Sequence, residues 1–202
     1  AARRTYADTK PPVGHPRFSA TYVLLDQPDQ LEQGLIYGRN GLEYIGPIAG
    51  DAEVEVAVDL RQSIFNAEYS SQSNGPTCLS FVIEVGASYR RSFQMIYTST
   101  KQFSREGAVS SSIGPQLAVR QDSEFLTMKY IRLGDTVTAW AGVDNEPLQN
   151  MGIVDLSQYQ DAAGQPIQRI WLAAMLYDPG VKGNTTFAIR TLLVSSIRNI
   201  KE

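Results

Sequence analysis

The chain predicts an all-β fold, a two-sheet antiparallel β-sandwich of the jelly-roll kind with little helix. Three observations lead there. Apolar and polar residues alternate at period two through most of the chain. The alternating runs are rich in β-branched and aromatic residues, and Gly, Pro and Asn separate them. Helical periodicity is almost absent. At 202 residues the chain is long enough for one large β domain and requires no second.

Residues 1–17 contain Arg3, Arg4, Lys10, Pro11, Pro12, Gly14, Pro16 and Arg17, which suits an extended arm or linker. A single sandwich domain is expected over 18–202, opening with "FSATYVLL". "LEQGLIYG" follows and is expected to end at "RNGL", where Asn40-Gly41 is a strong hairpin-turn dipeptide. "EVEVAVDL" alternates strictly, with Val54, Val56, Val58 and Leu60 inward and Glu53, Glu55 and Asp59 outward. "CLSFVIEVG", "SFQMIYTST", "PQLAVRQ" and "EFLTMKYIRL" continue the pattern, and "TVTAWAGV" puts Val137, Ala139, Ala141 and Val143 on one face. "MGIVDL", "IWLAAMLY" and "TTFAIRTLLVSSI" complete about ten or eleven strand candidates. "SSQSNGP" and "REGAVSSSIGP" read as flexible loops. Helical spacing in "LRQSIFNAEYSS" is short and uncapped, whereas "DLSQYQDAAGQPIQ" has room for one turn of helix before Pro166.

Hydrophobic residues make up 43% and charged residues 19%, as in ordinary globular proteins. A net charge of −3, with both signs interspersed beyond the arm, argues against nucleic acid as a partner. No apolar run approaches the roughly 18–20 residues that span a bilayer. Cys78 is the single cysteine, so an intrachain disulfide and a cysteine-ligated metal are both excluded; it reads as a small buried hydrophobe. The opening lacks both an initiator methionine and an apolar signal core, so the chain is expected to be a portion of something longer.

The stretches "LTMKYIRLGDTVTAW", "IQRIWLAAMLYDPG" and "NTTFAIRTLLVSSI" occur in that order between residues 124 and 197. Together they resemble the concanavalin A-like lectin/glucanase superfamily, in which a strand of this type meets a turn and is followed by two hydrophobic strands. The resemblance implies a β-sandwich and a glycan-related role. Where members of this type carry Asp-Gly and a second tryptophan after the turn, this chain reads "DNEPLQNMG".

Chemistry-bearing residues are few. Glu53, Glu55 and Asp59 share a strand face, and carboxylate pairs can perform glycosidic acid/base work, but a half-solvated strand produces the same pattern. His15 is the only histidine and sits in the arm, a poor place for a catalytic triad. Asp144, Asn145, Asp178 and Asn184 are the candidates for an oxygen-ligated cation of calcium type, yet they lack calcium-loop spacing, and turn chemistry explains them better. No cofactor is expected. Trp140 and Trp171, the only tryptophans, fall in the region of resemblance. Trp140 shares a face with Thr136 and Thr138, and Trp171 with Ala173, Met175 and Tyr177. If the sheet order makes these faces neighbours, they form an aromatic platform for a sugar, with Asp144, Asn145 and Asp178 beside it. Burial in a packed layer is the competing explanation for each tryptophan.

The leading expectation is a non-enzymatic recognition domain that binds a glycan or cell-surface polysaccharide, on a bacterial surface protein or a phage tail or spike. The first alternative is a virion coat, decoration or spike domain that assembles as a homo-oligomer or with virion neighbours through residues 1–17. A glycan hydrolase or lyase acting through Glu53 and Glu55 is the second. All three place the chain outside the cell, at a cell surface or in a virion.

Overall fold

The computed structural model describes residues 23–26, 40–65, 77–86, 91–99, 103–176 and 185–197. Among them run twelve strands: β1 (Val23–Asp26), β2 (Asn40–Ile48), β3 (Ala52–Phe65), β4 (Thr77–Val85), β5 (Arg91–Ser99), β6 (Gly107–Ser111), β7 (Gln116–Val119), β8 (Phe125–Leu133), β9 (Thr136–Val143), β10 (Gln149–Asp155), β11 (Ile167–Leu176) and β12 (Thr185–Ser196). They form two six-stranded sheets, in the orders β1-β12-β3-β8-β9-β10 and β2-β11-β4-β5-β6-β7. Every pairing is antiparallel. Among the described residues the one helical turn is 3-10, Leu156–Gln158, capped by the Asp155 carboxylate, which accepts from the Ser157 amide.

Period-two alternation builds the core. Val54, Val56 and Val58 of β3, Leu126, Met128 and Tyr130 of β8, and Val137, Ala139, Ala141 and Val143 of β9 all point into the space between the sheets. Leu79, Phe81, Ile83 and Val85 of β4 meet them from the second sheet, with Met95, Tyr97, Ile170 and Leu172. The buried Tyr130 hydroxyl donates to the Phe81 carbonyl across the layer, and the Tyr97 hydroxyl donates to the Arg105 carbonyl, so neither phenol lacks a partner. Phe65, Tyr97 and Phe187 pack edge to face in a triangle with ring centroids 6.0–6.4 Å apart.

Several expectations need correction. Asn40-Gly41 is no hairpin turn but opens β2, with Gly41 opposite Ala173 of β11. "REGAVSSSIGP" is not wholly loop, because Gly107–Ser111 is β6, where Val109 fills the core between flanking small residues. Asp59 does not lie in solvent with Glu53 and Glu55. It is 1% exposed, and its carboxylate accepts the amides of Arg61 and Gln62, holding a bulge where β3 loses register with β12. The weak helical spacing after Leu60 is strand as far as Phe65. The arm, "LEQGLIYG" and "SSQSNGP" lie outside the described residues.

At the open edge the two sheets are tied by contact. The turn between β6 and β7 lies against β10 so closely that a Cβ on Gly114 would stand 2.1 Å from the Met151 carbonyl oxygen. One on Gly152, at φ +128°, would stand 2.2 Å from the Ile113 carbonyl oxygen. The register shift between Asn150 and Gly152 marks the bulge that makes room for this turn. No helix among the described residues is long and apolar enough to cross a membrane.

Candidate functional site

A row of half-buried side chains that ends in an exposed asparagine crosses the outer face of the first sheet. Leu193 of β12, Glu55 of β3, Lys129 of β8, Trp140 of β9 and Asn150 of β10 stand opposite one another in consecutive pairings. At a strand spacing of about 4.8 Å the row is about 19 Å long. Beside it runs a second row, Ser195, Glu53, Ile131, Thr138 and Ile153. Ile153 is 60% exposed, so this face is open to solvent at its edge.

Lys129 organises the centre. Its Nζ lies 2.8 Å from Glu53 Oε1 and 2.6 Å from Glu55 Oε2, so one ammonium clamps two carboxylates. Burial works against the lysine's charge, but the hydrogen bonds and attraction from both carboxylates outweigh it and hold its pKa above the ordinary lysine value. The two acids are thereby tied as acceptors.

Trp140 faces away from the core, with Lys129 opposite on one side and Asn150 on the other. Its indole nitrogen is buried and has no hydrogen-bond acceptor. An orphaned buried donor costs about 1–3 kcal/mol. Because that nitrogen is hidden, what the half-buried indole offers to solvent is carbon. Next along the face, Gly142 is covered by Leu148, whose Cδ2 would stand 2.8 Å from a Cβ at that position. Glycine is therefore what allows the loop after β9 to fold back over the sheet beside Trp140.

The remaining sequence candidates do not gather around Trp140. Asp144, at φ 55°, is a structural clamp: its Oδ1 accepts the amides of Glu124 and Phe125 at 2.6 and 3.0 Å. Asn145 is exposed in the same turn, and both residues are about 13 Å or more along the strand from Trp140. Trp171 lies on the other sheet, facing outward, so the two tryptophans do not form a joint platform. It is 7% exposed and packs with Cys78, Val82 and Ala173 in a small cluster outside the main core. Its indole nitrogen donates to Glu84 Oε1 at 3.4 Å, and Arg169 Nη1 stands 3.6 Å from the same oxygen. Tyr177, Asp178 and Asn184 lie outside the described residues, as does His15. Among the described residues no group of three or more His, Cys, Asp or Glu could hold a metal ion.

Sequence reading misses Lys129, Glu84 and Arg169. The signal for Lys129 is weak but real: a lone lysine on an alternating strand, with two glutamates at period two elsewhere. It also misses a shallow depression of about 260 Å³ between the sheet edges, lined by Gln116, Leu117, Ala118, Arg120, Val143, Glu146 and Gln149. An Arg120–Glu146 ion pair at 3.0 Å spans its rim.

No protein-family model matches the chain, and no curated relative does. Solved structures do. An alginate lyase superposes with a TM-score of 0.55 at 8% identity, covering 90% of this chain and 83% of that one. The catalytic domain of a laminarinase from Thermotoga petrophila gives 0.52 at 10% identity, covering 87% and 77%. The fold is the concanavalin A-like β-sandwich. An uncharacterised protein from Mycobacterium paratuberculosis shares it too, with a TM-score of 0.51 at 11% identity over 86% and 81% of the two chains. Identities this low make the likeness one of fold. On the concanavalin A-like frame of this chain, the open rows around Trp140 and the closed cluster around Trp171 occupy the two opposite outer faces.

Proposed function

We propose that the chain is a non-catalytic glycan-recognition domain whose ligand lies across the outer face of the first sheet, over Trp140. One observation carries this reading: a half-buried indole that presents carbon to solvent, in a row that also offers carboxylate oxygens, a lysine and an asparagine. A sugar ring pairs an apolar face with hydroxyls at its rim, so it needs an aromatic surface and hydrogen-bonding groups side by side. Thr138 and Ile131 extend the same surface by one row. Alginate lyase and laminarinase, named for polysaccharides, share the fold, and this makes a glycan the first ligand to try. The clamping of Glu53 and Glu55 by Lys129 supports binding over cleavage.

The test is a pull-down on a panel of insoluble polysaccharides, with wild type and Trp140→Ala compared at equal folded fraction. Retention of wild type that Trp140→Ala abolishes is expected. Retention that survives the substitution, or none on any matrix, contradicts the proposal.

A further inference from the structure

The charge and hydrogen-bond balance around Trp140 restricts which glycans this face can take, an inference that rests on the glycan-binding reading above. Two carboxylates on β3 share the one ammonium of Lys129 on β8, leaving a residual negative charge two strands from the indole, where a glycan lying along the row meets it directly. Lys129 spends its charge on Glu53 Oε1 and Glu55 Oε2. The second oxygen of each carboxylate keeps acceptor capacity, and these three side chains are 17–29% exposed. Acceptors of this kind are satisfied by hydroxyl or ammonium donors and repel carboxylates and sulfates.

Among the described residues, the arginines of this face lie elsewhere. Arg61 and Arg190 stack on the Phe125 ring at 4.4 and 5.0 Å, and Arg61 is also paired with Asp59 and Glu124. Phe125 is four residues along β8 from Lys129, about 13 Å at the rise of an antiparallel strand and beyond the Debye length of about 8 Å at physiological salt. In the other direction, Asp155 stands opposite Thr136, four residues along β9 from Trp140 and therefore screened to the same degree.

We infer that the Trp140 face selects uncharged or amino-bearing glycans and rejects uronate and sulfated ones, although an alginate lyase shares its fold. A glycan array with neutral, amino, uronate and sulfated members tests this, read with wild type and Trp140→Ala at low and high salt. Glycans whose signal depends on Trp140 should be neutral or amino-bearing, with uronate relatives weaker by about tenfold or more at low salt and by less at high salt. Glu53→Gln and Glu55→Gln, each confirmed folded by thermal melt, should narrow that gap. Trp140-dependent binding that favours uronate or sulfated glycans overturns the inference and leaves the glycan reading standing. Absence of any Trp140-dependent signal overturns both.

Discussion

Trp140 combines two features at one residue: an outward indole and an indole nitrogen with no acceptor. Replacing it with phenylalanine removes the orphaned donor and keeps a ring on the sheet. Trp140→Phe should therefore unfold at a denaturant midpoint no lower than wild type, whereas Trp140→Ala should lose less than the about 3–5 kcal/mol typical of a core tryptophan. Urea melts of the two variants check this, and a core-sized loss in Trp140→Ala would return the residue to structural duty. Cys78 gives a second prediction. Burial pushes its thiol up to about 12 from the ordinary 9.0, so the unfolded chain loses that proton at lower pH than the folded one. Stability is then lost progressively as pH rises from about 9 towards 12. Lys129 acts in the same direction, its contribution being complete below the ordinary lysine pKa and lost as pH climbs through its raised folded value. Urea midpoints measured from neutral to alkaline pH should fall, and fall less steeply in Lys129→Met. A thiol reagent at neutral pH should leave Cys78 unmodified until denaturant is added.

At the scale of the strands, the turn joining β6 to β7 and the bulge in β10 form one joint, closed by Gly114 and Gly152. Gly152→Ala adds a methyl against a carbonyl and forces a side chain onto positive φ. A loss of about 2 kcal/mol or more is expected in chemical denaturation, with Gly50→Ala as a control at positive φ but in open space. Equal losses in the two variants would show that backbone strain alone, and not the joint, is at work. How much of the architecture is legible in the sequence follows from the same physics. The inward sets Val54-Val56-Val58 and Val137-Ala139-Ala141-Val143 are legible because period two is a local property of the chain. β6 is not, since "GAVSS" has one core residue among small ones. Asn40-Gly41 misleads because a dipeptide suited to a turn is equally tolerated in a strand when its neighbours pair.

For the whole molecule, the decisive information is which strands lie side by side. Lys129 reaches Glu53 and Glu55 only because β8 pairs with β3, and Trp140 parts from Trp171 only because β9 and β11 belong to different sheets. Neither pairing is written in local periodicity, so half of the expected aromatic site dissolves while its other half gains a lysine clamp. Two outer faces result. One is closed, with Trp171 and Val82 nearly inaccessible; the other is open, with Asn150 and Ile153 exposed and Trp140, Lys129 and Glu55 half-buried. The proposed ligand lies on the open face. Amide and indole chemical-shift mapping with the strongest Trp140-dependent oligosaccharide is the most direct measurement. Shifts should concentrate on the Trp140 indole N–H and on Glu55, Lys129, Ile131, Thr138 and Ile153. Shifts concentrated on Val82, Glu84 and Trp171, or around Gln116, Arg120 and Gln149, with the Trp140 indole unmoved, would contradict it.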